Sequence, residues 1–348
     1  MIVKMLKQTH GIKSPGTGGV IRWRALLALL AALVPGLAPG LARAQEDEIL
    51  PGGSWQVTVS QHKDSQQDSW GRNDRHGTLL QYLVPDITVR EQLSGKVTRE
   101  YQRRKLEVGV GLIDTWSLHL SKEQVVIRQD SDIQTAGTDP EVLYALAATA
   151  STEVSGSGNL EATLLHRLFY NDYNSVVLGW GGLWPEGRVE TPWYGRATLM
   201  TAAPARAGHV LLHYTRYPSI RHSRFDLRVF LNYSDSTWVR LPEGEWRKLY
   251  IGNRIEGQLG WRQEFGMVST GFLFQLLRQG NSSLGGILQH DHMEEESLRF
   301  ELGLGNLVDL EQGPVTLPYR IGLTAERTIR GFNVPVRNAL IMDLKIYF

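Results

Sequence analysis

The stretch NALIMDLKIYF, Asn338 to Phe348, closes the sequence. Leu340, Met342, Leu344, Ile346 and Phe348 alternate with Ile341, Asp343, Lys345 and Tyr347. Domain ends are commonly polar and frayed. Here a period of two puts one set of side chains on each face of a strand. The last aromatic stands in register with the apolar face, so this strand is expected to be paired to its end.

The same alternation recurs upstream. Phe225, Leu227, Val229, Leu231 and Tyr233 oppose Arg224, Asp226, Arg228 and Asn232. Ile255, Leu259, Trp261 and Phe265 oppose Arg254, Glu256, Gln258, Arg262 and Glu264. Leu298, Phe300, Leu302 and Leu304 alternate with Arg299 and Glu301, and Val315 to Leu323 with Arg320 and Thr324. A soluble sandwich also alternates, but its strands run to roughly five or six residues. Segments of about ten residues recurring along the chain are the signature of a transmembrane barrel.

The first residues agree with export. Lys4, Lys7, Lys13, Arg22 and Arg24 form a basic leader, Ala25 to Val34 an apolar run, and Ala42-Arg43-Ala44 a small-x-small cleavage site. Residues 1–44 are therefore read as a signal peptide. No later segment is apolar over the ~18 residues that a spanning helix needs. Cysteine is absent, which removes disulfide scaffolds and Cys-ligated metal domains. Lys and Arg (37) balance Asp and Glu (36), leaving no electrostatic footprint for nucleic acid.

The expected fold is all-β, a transmembrane antiparallel β-barrel over residues 76–348. Its twelve strands are placed at 76–90, 99–111, 115–128, 158–170, 175–184, 208–217, 223–234, 246–265, 267–279, 297–304, 314–327 and 336–348. Residues 45–75 are assigned to a periplasmic lead or a lumen plug. Two further candidates, Trp55 to His62 and Trp193 to Ala203, give an alternative of fourteen strands. With the last strand running to the periplasm, the turns at 112–114, 171–174, 218–222, 266 and 305–313 are periplasmic and short. Those at 91–98, 129–157, 185–207, 235–245, 280–296 and 328–335 are external, and several are long, as in outer-membrane barrels. Trp184, Trp193, Tyr217, Tyr233, Trp246 and Tyr250 lie near strand ends, where aromatic girdles sit.

Closure fixes the inward set as Arg224, Arg228, Arg254, Glu256, Arg262, Glu264, Arg299, Glu301, Arg320, Asp343 and Lys345. These charges either line a selective pore or, nearly balanced in sign, pair with one another and fill a narrow lumen. His290 to Glu296 (HDHMEEE) matches no metal spacing and is read as a polar external loop. Arg221-His222-Ser223 is not a hydrolase site, because adjacent residues of a strand point to opposite faces. No nucleotide, metal or redox cofactor motif is present, and the protein is not expected to be an enzyme.

Three segments carry a resemblance: Gly156-Ser157-Gly158-Asn159-Leu160, then Leu165-His166-Arg167-Leu168-Phe169, then Leu183-Trp184-Pro185-Glu186-Gly187. They resemble the outer-membrane transporters linked to the meta pathway of phenol degradation, within the broad FadL-like group of hydrophobic-solute channels. Asn159 replaces that pattern's acidic residue, and Trp-Pro-Glu-Gly replaces its Leu-Pro-Thr-Gly close. The resemblance implies passive uptake of small hydrophobic or aromatic solutes through an obstructed lumen in the cell outer membrane. A structural or surface-interaction barrel with a sealed lumen is the alternative, ahead of an outer-membrane hydrolase. The expected partners are outer-membrane lipid and lipopolysaccharide, the barrel assembly machinery and a small hydrophobic solute. Barrel proteins resemble one another in a terminal aromatic strand, so Leu344, Ile346 and Phe348 form the expected assembly signal. Deleting Phe348 is expected to lower the amount of folded protein in outer-membrane fractions far more than Lys345→Ala; equal amounts would refute that role.

Overall fold

The computed structural model describes residues 49–71, 76–187, 195–218, 223–241, 243–306 and 318–348. Among them, twelve long strands join antiparallel neighbour to neighbour. They are β1 (Trp55–Trp70), β2 (Leu93–Ile113), β3 (Trp116–Thr135), β4 (Thr152–Tyr170), β5 (Asn174–Pro185) and β6 (Ala207–Arg216). Then come β7 (Ser223–Ser234), β8 (Arg254–Phe265), β9 (Val268–Gln279), β10 (Met293–Gly305), β11 (Tyr319–Phe332) and β12 (Val334–Tyr347). Strand β12 pairs with β11 on one side and with β1 on the other, from Tyr347 opposite Gln56 to Val334 opposite Trp70. The sheet is thereby a closed ring.

Lipid explains both the closure and the pattern. Backbone groups facing hydrocarbon have no water to bond, so every edge must be paired. The alternation then sends apolar residues outward. On β12, Leu340, Met342 and Leu344 are exposed while Ala339 and Tyr347 are buried. Phe225, Leu259, Phe272 and Leu302 are likewise exposed on their strands. At the end that holds Trp55 and Tyr347, most adjacent strands join through short turns, two residues each at Asp114–Thr115 and Gly266–Met267, the longer 306–318 connection being the exception. Gly266 has φ +61, the left-handed conformation that tight hairpins require. The opposite end carries the long connections 71–92, 136–151, 186–206, 235–253 and 280–292. The short-turn end therefore faces the periplasm.

The count of twelve stands, but its first member differs from the expectation. Trp55–Trp70 is the first barrel strand, paired with β12 and β2. Residues 45–75 are thus not a separate lead or plug, since Trp55–Trp70 lies in the barrel wall. The segment 76–90 contains the short strand His76–Thr78 and two helices, α1 (Leu79–Leu83) and α2 (Ile87–Arg90). Leu79, Leu80, Leu83 and Val84 recur at helical spacing and are buried. Asp86 caps α2, accepting from the backbone N–H groups of Thr88 and Val89.

Other boundaries also moved. Strands β2, β4 and β10 start earlier, at Leu93, Thr152 and Met293, and β11 occupies Tyr319–Phe332. The expected strand 246–265 is interrupted. Trp246–Tyr250 pairs with Ser236–Arg240 and Ser283–Leu284 in a small external sheet, and the barrel resumes at Arg254. Gly252 marks the break: a Cβ there would stand 2.0 Å from the carbonyl oxygen of Gly280, so no larger residue fits. The described part of Trp193 to Ala203 holds a 3-10 turn, Gly195–Ala197, rather than a strand. The signal peptide, Trp193, Arg221, His222 and most of the 305–313 turn lie outside the described residues.

Two proline substitutions separate the observed strand order from the expected one. Val59→Pro interrupts the ladders on both sides of β1 and is expected to abolish heat-modifiable migration of the folded barrel on a gel. Ile87→Pro falls at the first residue of α2, where proline is accommodated, and is expected to leave that migration unchanged. The reverse pattern would mean that 76–90 spans the membrane.

Candidate functional site, an obstructed lumen

Inward side chains from both halves of the ring enclose a cavity of about 380 Å³ in the periplasmic half of the barrel. Seven residues of the sequence-derived inward set line it: Arg224, Arg228, Arg262, Glu301, Arg320, Asp343 and Lys345. Lys105, Glu107, His119 and Glu161 complete its charged wall. Six cationic side chains thus face four carboxylates, and Asp226, which accepts from Arg224 Nε at 2.8 Å, offsets one more positive charge. Most of the wall is paired. Arg262 meets Glu301 at 2.7 Å, and Lys105 lies 3.4 Å from Glu107 and 3.6 Å from Glu161. Such pairing is what isolated charges in a narrow interior demand.

Residues just before β1 pack beside the cavity's lower end. Ile49 packs with Leu165, Val177 and Leu211, and two of these, Leu165 and Leu211, also line the cavity. The Leu50 N–H donates to Ser117 Oγ at 2.7 Å.

The remaining sequence-derived residues sit elsewhere on the inner wall. Arg254 donates to Glu256 at 2.6 Å, and Glu264 shares their face on β8 at its periplasmic end. Arg299 belongs to a second cluster. Its Nε donates to Glu326 at 2.9 Å; Arg337 Nη2 lies 2.6 Å from Glu295 and 3.6 Å from Glu326. Thr328 Oγ1 also donates to Glu295 at 2.9 Å. Both carboxylates are buried. The HDHMEEE stretch is therefore divided: Glu295 faces this cluster, whereas Glu294 pairs with Arg278 at 3.3 Å on the exposed side. Leu344 and Ile346, expected to mark assembly, lie on β12 opposite Val59 and Val57.

External connections fold inward above this cluster. Leu199 packs on Val125, Ile127, Val154 and Tyr101. On β2 and β3, Tyr101, Val125 and Ile127 share the parity of the cavity residues Lys105 and His119, so Leu199, on the connection that leads into β6, enters the lumen. Arg99 fastens it, donating to Ala197 O at 2.7 Å, to Arg196 O at 3.1 Å and to Gln129 Oε1 at 2.6 Å. Gln129 in turn donates to Ala148 O and Ala150 O at the end of α3 (Pro140–Thr149). Arg196 lies 4.7 Å over the Tyr82 ring and donates to Asn333 Oδ1, on the turn between β11 and β12. That turn is half the ring away from β5 and β6, so Arg196 spans the mouth to reach it.

An apolar cluster joins α1, α2 and α3 around these contacts, with Leu79, Leu83, Val89, Val97, Val142, Ala145 and Ala197 buried in it. Burial pushes the Tyr82 phenol up, opposed by the Arg196 guanidinium. At the exposed start of α2, hydrogen bonds from the Thr88 hydroxyl and the Val89 N–H hold the Asp86 carboxyl down.

Sequence reasoning missed Arg99, Lys105, Glu107, Gln129, Arg196 and Arg337, and it left Glu326 out of the inward charged set although alternation puts it on the face of Arg320. Strand β2 is charged on both faces, with Arg103, Arg104 and Lys105 in succession, so alternation gives no inward set there.

A closed, apolar-faced barrel of twelve antiparallel strands defines the class: this is a bacterial outer-membrane β-barrel. Its fold is similar to that of an outer membrane channel from Pseudomonas putida F1, with 15% identity, 90% of this chain and 100% of that chain covered, and a TM-score of 0.63. The translocator domain of the autotransporter NalP from Neisseria meningitidis is more distant (8% identity, 95% and 96% covered, TM-score 0.43). So is the Pseudomonas putida toluene transporter TodX (8% identity, 86% and 90% covered, TM-score 0.38). No family model matches the sequence, and no curated protein matches it.

Arg337→Gln removes the cation between two buried carboxylates. It is expected to lower unfolding stability in urea by about 3 kcal/mol, whereas Arg278→Gln, at an exposed pair, is expected to change it by less than about 1 kcal/mol.

Proposed function

We propose that this protein is a gated outer-membrane channel for passive entry of small solutes with an apolar or aromatic body. The observation that carries the reading is the layered lumen. An apolar cluster built from external connections lies over a chamber of about 380 Å³, within the range of small-molecule cavities, ~300–1,000 Å³. The plug is held to the wall by a small number of polar groups, chiefly Arg99, Gln129, Arg196 and Asn333. Connections of this kind open locally at a lower free-energy cost than the barrel ladder. An apolar solute partitions into the cluster, displaces the 186–206 connection and passes the charged wall to the periplasm. Conduction needs no energy source in this scheme.

A sealed structural barrel is the second reading, favoured by the buried cluster of Arg299, Glu326, Arg337 and Glu295 beneath the plug. Planar bilayers and intact cells together separate the two. For the channel, the wild-type protein gives rare single-channel steps, and Arg99→Ala, which releases the plug, makes them at least about tenfold more frequent. Cells lacking the gene then accumulate a radiolabelled aromatic hydrocarbon more slowly than wild-type cells. Silence of both proteins, together with unchanged uptake in the deletion strain, would establish the sealed barrel instead.

A further inference from the structure

The outer wall carries a groove that the lumen does not explain. It encloses about 620 Å³ across β9 to β12 and β1, and its surface is mostly apolar. Its floor follows one row of cross-strand partners. Phe272 faces Phe300, Phe300 faces Ala325, Ala325 faces Leu340, and Leu340 faces Lys63. The depression exists because Ala325 is small between two large neighbours on a face that is otherwise bulky. Phe300 is braced edge-on by Phe272, with ring centroids 5.1 Å apart, and so does not lean into the gap.

One row nearer the external end, the same strands turn polar. Leu298 faces Arg327, Arg327 faces Asn338, and Asn338 faces Ser65. Arg327 is exposed, and its side chain makes no hydrogen bond or ion pair among the described residues. Across β12 from it, at the end of the floor row, Lys63 also lines the groove, and its ammonium lies 3.5 Å from the exposed Glu100. One row nearer the periplasm the wall is apolar again, with Leu302, Leu323 and Met342.

The order from outside inward is therefore a cationic rim, a slot one side chain deep, and hydrocarbon-facing wall. We propose that this groove is a binding site for the lipid A moiety of lipopolysaccharide. A phosphate sits at Arg327 and Lys63, and an acyl chain lies over Ala325 between Phe300 and Leu340. The occupant follows from position and charge. The groove opens to the membrane, so its filling is a lipid, and its rim lies at the external end, so that lipid belongs to the outer leaflet. The exposed Arg327 guanidinium, with no partner among the described residues, suits an anionic headgroup, and planar N–H donors suit phosphate oxygens. The site is independent of whether the lumen conducts.

Native mass spectrometry on the full-length folded barrel in detergent tests this. The probes are bis-phosphorylated lipid A, its dephosphorylated form and phosphatidylethanolamine. The wild-type protein is expected to retain one lipid A in preference to the other two. Ala325→Leu, which fills the slot, and Arg327→Gln, which removes the cation, are each expected to weaken lipid A retention about tenfold. Leu227→Ala, on the outward face of β7, is expected to leave it unchanged. Folding of each variant is checked by heat-modifiable migration, and Ala325→Val replaces the leucine variant if that one does not fold. Equal retention by wild type and both groove variants would overturn the proposal. So would equal retention of phosphatidylethanolamine, which would make the groove an ordinary part of the lipid annulus.

Discussion

Everything in this molecule depends on the pairing of β1 with β12. A sheet in hydrocarbon has no tolerable edge, because each unpaired N–H or C=O costs several kcal/mol there. The seam that joins Gln56 to Tyr347 and Trp70 to Val334 removes the two edges together. Once the ring is closed, inside and outside are fixed for every strand, and the remaining chemistry follows. Apolar side chains meet lipid, charged ones must find partners in a narrow interior, and surplus chain can lie only at the ends or in the lumen.

The interior shows how those demands are met. The lower chamber keeps open space among paired Lys, Arg and Glu side chains, while Arg337, Glu295, Glu326 and Arg299 form a paired cluster on the wall above it. The external connections supply what the strands cannot, an apolar cluster inside a polar tube. Arg99 and Arg196 make that possible, since each binds peptide or amide oxygens of a connection that would otherwise be left unpaired in the mouth. Obstruction by loops, unlike obstruction by wall side chains, leaves a part that can move.

Much of this was legible in the sequence where one face of a strand was apolar. The alternation in 223–234, 254–265 and 336–348 identified these strands and their inward residues, because lipid enforces the pattern along the whole segment. The first strand was legible only in its first half, Trp55 to His62, and was left out of the twelve for the opposite reason. After Trp55, Val57 and Val59 its outward residues are Gln61, Lys63, Ser65 and Gln67, so both faces are polar and periodicity is silent. Pairing on both sides, not hydrophobicity, makes it a strand. The segment 76–90 misled because it is apolar, although its spacing of Leu79, Leu80, Leu83 and Val84 is helical. Long-range partners such as Arg196 with Asn333 have no local signature at all; only the ring's closure brings them together.

The most direct test is a disulfide across the seam. The chain has no cysteine of its own, so a pair introduced by Thr58→Cys with Lys345→Cys reports one contact. These residues are register partners, with Cβ atoms expected about 5 Å apart. In isolated outer membranes, oxidation should cross-link this pair efficiently. It should leave a second pair, Thr78→Cys with Lys345→Cys, reduced. Cross-linking of the second pair and not the first would show that the barrel closes through residues 76–90 and would contradict the architecture described.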